Sequence, residues 1–387
     1  MLVMLIANSD GSLYNFRSTL ISKLISSGNT VVTISGSSSE GSYKQRLESL
    51  GVEHQISFDF SGSKVAPMSF LRLILEITCA IRKYSPNIVH CYTHKACLAG
   101  SIGSILSGSN AKVFFTITGL GRAFSSDEIS YRVIRATLLL NYRILSKKVS
   151  RFFFQNYDDA SLFEKKCDLP KEKIEVVGGS GVDLELVRKQ IKKTEINNIL
   201  PLKINKNRIN ILCLSRGMIQ KGFFEFYKAA KILSEIFPDK YTFYHAGTID
   251  NEVLDKINNK DINKFAKLHC VDYLGYVNEV ITVISEMDII VHPSYYREGV
   301  PRSLIEALAL DKVIVTCDTI GNREVVFDGW NGFFCKPKNA QSLASKIIAV
   351  DIDFLIKSKG RSYLIAEKKF DVRKIDEAVL RAYTGKH

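Results

Sequence analysis

Short apolar runs alternate with longer amphipathic stretches along this chain, and that alternation leaves little freedom in the fold. In the first half the runs fall at residues 2–7, 31–35, 88–91, 113–117, 152–155 and 174–177. Each is apolar on both faces, as strands are when a sheet is covered on both sides rather than wet on one. Between them lie amphipathic stretches such as 16–26, 69–83 and 129–145. Strand–helix–strand repetition with right-handed crossovers gives a doubly wound parallel sheet. The pattern breaks at 188–208, RKQIKKTEINNILPLKINKNR, which is polar, lysine-rich and carries Pro201, as a linker would. It resumes at 209–214, 241–246, 271–274, 289–292, 313–316 and 333–336. A length of 387 residues also exceeds one comfortable core. The expected architecture is α/β: two Rossmann-like, doubly wound domains at 1–185 and 209–363, a linker over 186–208, and a cleft between the domains. Ligands of such sheets bind outside the carboxyl ends of the strands.

Composition narrows the function classes. A chain 46% hydrophobic and 24% charged is ordinary globular material, which excludes disorder. The eight cysteines include no C-x-x-C pair, which argues against a zinc site or a disulfide framework and suits a reducing compartment. Residues 1–7 have no basic residue before them and run into Asn8-Ser9-Asp10-Gly11, so they read as a buried strand and not a signal peptide. No apolar run reaches the roughly 18 residues a membrane span needs. The net charge of +13 is unevenly placed, with thirteen Lys/Arg against three acids between Lys64 and Arg151. Such a segment suits an anionic membrane surface, a phosphorylated substrate or a nucleic acid. Nucleic acid is disfavoured, because no interleaved exposed aromatics or reading motif accompany the charge.

Three stretches of the second half carry chemistry. In His292-Pro-Ser-Tyr-Tyr-Arg-Glu-Gly-Val-Pro-Arg-Ser-Leu-Ile-Glu306, a strand ends, a loop follows, and Pro301 suits a first helical turn. The backbone N–H groups around Gly299, Val300, Pro301, Arg302 and Ser303 are then set to hold an anion such as a diphosphate. Glu298 and Glu306, eight residues apart, can accept hydrogen bonds from hydroxyls at two ends of one ligand. In Ser215-Arg216-Gly217-Met-Ile-Gln-Lys221-Gly222, a glycine-bearing turn follows a strand, and Arg216 and Lys221 can neutralise a leaving diphosphate in place of a metal ion. In Asp318-Thr-Ile-Gly-Asn-Arg-Glu324, Gly321 lets backbone approach a ligand and Asn322 caps a further helix, although an ordinary turn explains it nearly as well.

The first half is less explicit. Gly11, Tyr14, Asn15 and Arg17 follow the first strand, but one glycine does not make a G-x-G-x-x-G fingerprint. His94 and Lys95 follow the strand at 88–91, and Thr118, Gly119 and Gly121 follow that at 113–117. In 129–145, Tyr131, Ile134, Leu138, Tyr142 and Leu145 share one helical face, and Arg132, Arg135 and Arg143 cluster on another. That face either packs on its own sheet or lies near anionic headgroups.

Together these motifs resemble the family 4 glycosyltransferases, retaining enzymes of the GT-B fold. The E-x7-E element reads Glu298 to Glu306, S-R-x-x-x-x-K-G reads Ser215 to Gly222, and G-x-x-E reads Gly321 to Glu324. S-L-Y-N-F-R, H-K-A, T-G-L-G and Gly181-Val182-Asp183 extend the likeness over nearly the whole chain. The resemblance implies a nucleotide-sugar donor, UDP-linked by preference, no metal or other cofactor, and retention of anomeric configuration. It implies Glu298 on the donor sugar, Glu306 on the ribose, Arg216 and Lys221 on the diphosphate, and the Gly11 loop against donor phosphate and acceptor. A helix at 364–387 would cross back onto the first, acceptor-binding domain. The nearest subgroup extends polyprenyl-diphosphate-linked saccharides for O-antigen, capsule or protein glycosylation, which places the protein at the inner face of the cytoplasmic membrane as a peripheral enzyme. Thr118 stands where many members have a histidine, and the glycine pair common after the first strand is reduced to Gly11. A nucleotide-sugar epimerase on the same fold and a non-catalytic sugar-nucleotide sensor are the alternatives.

Overall fold

The computed structural model describes residues 1–37, 43–58, 67–125, 128–197, 204–257 and 261–385. The chain divides into two compact units, Met1–Ser180 with Val372–His387, and Gly181–Asp371. In the first unit, strands β1 (Leu2–Ile6), β2 (Thr30–Ser35), β3 (His54–Ser57), β4 (Ile88–Tyr92), β5 (Lys112–Ile117), β6 (Val149–Phe154) and β7 (Ile174–Val176) form one sheet. Their order is β3-β2-β1-β4-β5-β6-β7 and every neighbouring pair is parallel. Strands β8 (Ile209–Leu214), β9 (Tyr241–Ala246), β10 (Val271–Gly275), β11 (Ile289–His292), β12 (Val313–Cys317) and β13 (Gly332–Cys335) form the second sheet. It runs β10-β9-β8-β11-β12-β13, again all parallel.

The two-sided apolarity of the strands has a direct cause, since each sheet separates two cores. Met4, Ile6, Val89, Phe115 and Phe152 face one side of the first sheet. Val3, Leu5, Ile88, Phe114 and Phe153 face the other, against Leu13, Leu20 and Ile21. Each such side chain contributes about 1.5–3 kcal/mol on burial. Strand order reverses between β1 and β4 in one sheet and between β8 and β11 in the other, and such switch points are where doubly wound sheets open to ligands.

Two features depart from the pattern read in sequence. Strand β3, with the polar sequence HQIS, sits at a sheet edge, where few apolar residues are demanded. The stretch read as a linker begins as a helix, Leu184–Asn197, and Val182, Leu184 and Val187 lie in a core of the second unit. Residues 198–203 of that stretch, Pro201 included, lie outside the described residues. The helix Val372–Thr384 belongs to the first unit, where Ile375, Ala378, Val379 and Tyr383 join the core around Val3 and Leu5. Among the described residues no helix is long and apolar enough to cross a membrane, and all eight cysteines are free.

Candidate active site

In the second unit the three motif-bearing loops follow β8, β11 and β12, which are neighbours in the sheet, so the loops meet at its carboxyl edge. Glycines let them close on one another. Gly222, in the left-handed region at φ 75°, presses on the Pro293 carbonyl, and a Cβ there would collide with it. Gly321 lies so tightly on the Gly299 carbonyl that a Cβ has no room at all. Tyr295 N–H donates to the Gln220 carbonyl at 3.0 Å, joining the first two loops further.

Within this cluster Lys221 donates to Glu298 Oε1 in an ion pair that spans 77 residues of sequence. Ser294 Oγ donates to the same oxygen at 3.2 Å. His292, at the end of β11, is almost wholly enclosed, and its Nε2 stands 3.7 Å from Glu298 Oε1, too far for a hydrogen bond. Burial by itself raises the Glu298 carboxyl, but the Lys221 ammonium and the His292 ring outweigh it and hold the group at about 2, against an ordinary 4.5. Burial pushes His292 the other way, below its ordinary 6.5. The cluster is thus an ionised carboxylate and a cation, with a neutral imidazole behind them. His292 and Ser294 are the residues that the motif reading passed over. Their signal was positional, since both stand where a strand gives way to the glutamate loop.

Around the pair, Arg216 is exposed and its Nη2 lies 3.1 Å from Met218 Sδ. Gly217 N–H donates to the Thr248 carbonyl at 2.8 Å, pinning the turn to the next loop. Pro301 is not in the first helical turn. Its ψ of 126° makes it the N-cap of the helix Arg302–Ala309, so the helix begins one residue later. Val300, just before it, is buried. Arg302 donates to Glu306 at 2.8 Å, one turn on, and to the Gly181 carbonyl, so the second glutamate has a cation of its own. Ser303 lies in the first turn and is partly exposed. Asn322 caps no helix. It is buried, its amide donates to the Cys317 carbonyl at 3.1 Å, and residues Asn322–Glu324 make one tight turn. Arg323 pairs with Asp318, while Lys369 Nζ lies 3.4 Å from Glu324 Oε2.

In the first unit the singled-out residues follow β1, β4 and β5, which are also adjacent strands. Gly11 is not in a loop, because the helix Asp10–Ser26 starts before it, capped by Ser9 accepting from Ser12 N–H at 3.2 Å. Ser-Asp is a strong helix start, and it draws Tyr14, Asn15 and Arg17 into the helix as well. Asn15 donates to Tyr43 OH at 3.2 Å, the Tyr14 and Tyr43 rings lie 6.1 Å apart, and the Arg17 guanidinium sits 4.5 Å over the Tyr92 ring. Thr93, at a positive φ of 74°, brings His94 and Lys95 to the start of the helix His94–Leu106. Such strain costs about 1–3 kcal/mol, and a 2.8 Å bond from Thr93 Oγ1 to Asn8 helps to hold it. His94 Nδ1 shares a hydrogen bond with Tyr142 OH at 2.8 Å, and burial lowers the imidazole to about 4. Thr118 is partly exposed, and Gly119 and Gly121, at φ 135° and 65°, turn the chain after β5.

Two all-parallel doubly wound units, each with motif-bearing loops beside the reversal of strand order, define the GT-B fold. Residues 195–353 match the family described as Glycosyl transferases group 1, and residues 3–156 match Glycosyl transferase 4-like, so the chain belongs to these glycosyltransferases. It is 27% identical over 348 residues to the N,N'-diacetylbacillosaminyl-diphospho-undecaprenol alpha-1,3-N-acetylgalactosaminyltransferase of Campylobacter jejuni, covering 88% of this chain and 87% of that one. A capsular polysaccharide biosynthesis glycosyltransferase of Staphylococcus aureus, CapM, is 25% identical over 73% of this chain and 72% of its own. Among solved structures, HepE of Anabaena in complex with UDP aligns over 100% of both chains with a TM-score of 0.74 at 18% identity. A glycosyltransferase from Rickettsia africae aligns over 100% of this chain and 98% of that one, with a TM-score of 0.73 at 21% identity.

Proposed function

We propose that this glycosyltransferase moves a sugar, an N-acetylhexosamine in our reading, from a UDP-linked donor to a polyprenyl-diphosphate-linked saccharide with retention of configuration. The observation that carries this is the Lys221–Glu298 pair, which ties the loop bearing the exposed Arg216 to the loop that leads into the helix Arg302–Ala309. A donor entering that cluster exchanges the internal pair for its own groups. The diphosphate takes Lys221, Arg216 and the backbone N–H groups of residues 299–303, and the sugar hydroxyls donate to the freed Glu298 carboxylate. Glu306, steadied by Arg302, accepts from the ribose, while Gly217, Gly321 and Asn322 shape the backbone around the donor. Two side-chain cations and a helix terminus supply the neutralising charge that a metal ion provides elsewhere.

No enzymic nucleophile is needed. The bond from the anomeric carbon to the diphosphate oxygen breaks, the acceptor hydroxyl bonds to that carbon on the same face, and the departing phosphate takes the hydroxyl proton. Lys221 and Arg216 stabilise the charge growing on the diphosphate, a contribution realised mainly in the transition state. The acceptor side is assigned to the first unit, to Tyr14, Asn15, Arg17, His94, Lys95, Thr118, Gly119 and Gly121, with Gly11 beneath them. The name of the Campylobacter jejuni relative supports the lipid-linked acceptor and the N-acetylhexosamine, and the UDP complex of HepE supports the nucleotide. Exposed apolar residues and arginines on the helix Ile129–Leu145 support a peripheral place on the anionic inner face of the cytoplasmic membrane.

The test is mass spectrometry of reactions containing purified protein, a panel of UDP- and GDP-sugars, and a short polyprenyl-diphosphate N-acetylhexosamine. A gain of one sugar on the acceptor from a UDP-sugar is the expected result. Isomerised donor with unchanged acceptor makes the protein an epimerase, and tight donor binding without turnover makes it a sensor.

A further inference from the structure

His292 is the last residue of β11, between β8 and β12, and its side chain is almost wholly enclosed. Its backbone is tied down, since Thr316 Oγ1 donates to the His292 carbonyl at 2.5 Å. Its ring is tied to nothing: among the described residues neither Nδ1 nor Nε2 has a hydrogen-bond partner. An enclosed imidazole with both nitrogens unanswered is rare in a native fold, and core packing alone does not account for it. Nε2 stands 3.7 Å from Glu298 Oε1, the oxygen to which Lys221 and Ser294 already donate. A shift of about 1 Å brings that nitrogen within hydrogen-bond reach of the carboxylate. Burial keeps the ring neutral, and the neighbouring negative charge draws its one proton to Nε2, the nitrogen placed to donate.

We propose that His292 is a positioning residue, whose Nε2–H takes over Glu298 Oε1 when Lys221 leaves it for the donor diphosphate. This inference rests on the donor exchange described above. In that exchange Glu298 loses its closest donor at the moment it must accept from sugar hydroxyls, and Ser294 by itself leaves the carboxylate free to turn. The imidazole, carried on a strand end, holds Oε1 where Lys221 held it and leaves the second oxygen to the sugar. A neutral donor orients the carboxylate without cancelling its charge, so its strength as an acceptor is kept. The separation of 3.7 Å suits such a hand-over, being short enough to close and too long to compete with Lys221 beforehand.

The test has two arms, neither of which needs sugar transfer. Melting temperatures at pH 7 compare His292→Leu in the wild-type and Lys221→Ala backgrounds, the second standing in for the departure of the lysine. Leucine is close to the ring in volume, so the enclosure is kept. His292→Leu is expected to lower the melting temperature at least about 3 °C further in the Lys221→Ala background than with Lys221 present. His292→Gln keeps an N–H donor and is expected to recover most of that difference. Equal shifts in the two backgrounds overturn the proposal. The second arm is calorimetric titration of UDP, UDP-glucose, UDP-N-acetylglucosamine and UDP-N-acetylgalactosamine. For the UDP-sugar that wild type binds best, His292→Leu is expected to lose about tenfold more affinity than it loses for UDP, and His292→Gln to return within about threefold of wild type. Equal losses for UDP and the UDP-sugar make His292 a packing residue and overturn the proposal, as does an undiminished UDP-sugar affinity. If the melts behave as expected while wild type binds no UDP-sugar, the donor reading fails and the hold of His292 on Glu298 stands.

Discussion

Lys221→Ala strips the Glu298 carboxylate of its closest counter-charge while leaving it largely enclosed. The size of the effect follows from the depressed carboxyl. At about 1.36 kcal/mol per pKa unit, the gap between an ordinary 4.5 and about 2 is worth about 3 kcal/mol. The Glu298 side chain keeps 22% of its surface in water, and Ser294 and His292 remain beside it after the substitution. The expected loss at pH 7 is therefore nearer about 2 kcal/mol, which lowers the melting temperature of a unit this size by roughly 4–8 °C. The pH dependence gives a sharper signature. A carboxyl depressed in the folded state contributes its full stability above its unfolded value and loses it as pH falls through 4.5 toward 2. In the variant, burial is left as the main influence and raises the carboxyl, so that contribution is absent. The difference in stability between wild type and variant must then narrow as pH is lowered from 7 to 4. Calorimetric melts of wild type, Lys221→Ala, Glu298→Gln and the double variant at both pH values measure it, and Lys221→Ala is expected to cost less than about 1 kcal/mol in the Glu298→Gln background. Equal melting temperatures at pH 7, or a gap that stays constant down to pH 4, would refute the reasoning.

Other perturbations probe different parts of the molecule. Gly321→Ala sets a methyl group against the Gly299 carbonyl, so UDP affinity is expected to fall at least about tenfold in calorimetric titration; unchanged affinity would mean the two loops part freely. His94 is neutral and enclosed, with a folded value of about 4 against 6.5, so unfolding takes up a proton and stability falls as pH drops from 6.5 toward 4. Urea denaturation at pH 7 and pH 5 should show a smaller difference for His94→Asn than for wild type, and an identical difference would clear His94 of that role. Lys369→Met frees Glu324 from a partly exposed pair, with less than about 1 kcal/mol of stability at stake. Steady-state kinetics should register it as a shift of two- to fivefold in donor KM, and an unmoved KM would leave Glu324 without a part in donor binding.

The fold was legible because its strands are buried on both faces. Runs such as 209–214 and 241–246 lack polar interruption long enough to be anything else, and they coincide with β8 and β9. Strand β3 escaped because an edge strand needs little apolar surface, and HQIS offers little. The helix Leu184–Asn197 escaped because its basic residues, Arg188, Lys189, Lys192 and Lys193, outnumber the apolar contacts, at Leu184, Val187 and Ile191, that tie it to the second unit. At the site, loop positions could be read from glycines and prolines, while pairings could not. Nothing local announces that Lys221 reaches Glu298 across 77 residues. That contact exists because β8 and β11 are neighbours, a fact of topology and not of composition. The same holds for His292, whose enclosure comes from strands flanking β11 on both sides.

The helix Val372–Thr384 has a consequence for how the protein is made. Residues that complete the first unit are synthesised only after all of Gly181–Asp371. At about 5–20 residues per second, that delay is roughly 10–40 s. Throughout it, the nascent first unit lacks Ile375 and Val379 against Leu13 and Leu20, and His90 lacks the Tyr383 hydroxyl that meets it at 2.6 Å. The earliest-made sheet is therefore the last to be sealed, with the part of one apolar face that Ile375, Val379 and Tyr383 cover left open until then. A stop codon just after Asp371 would spare the second unit, whose own sequence is whole by then, and cripple the first, nearly 200 residues upstream.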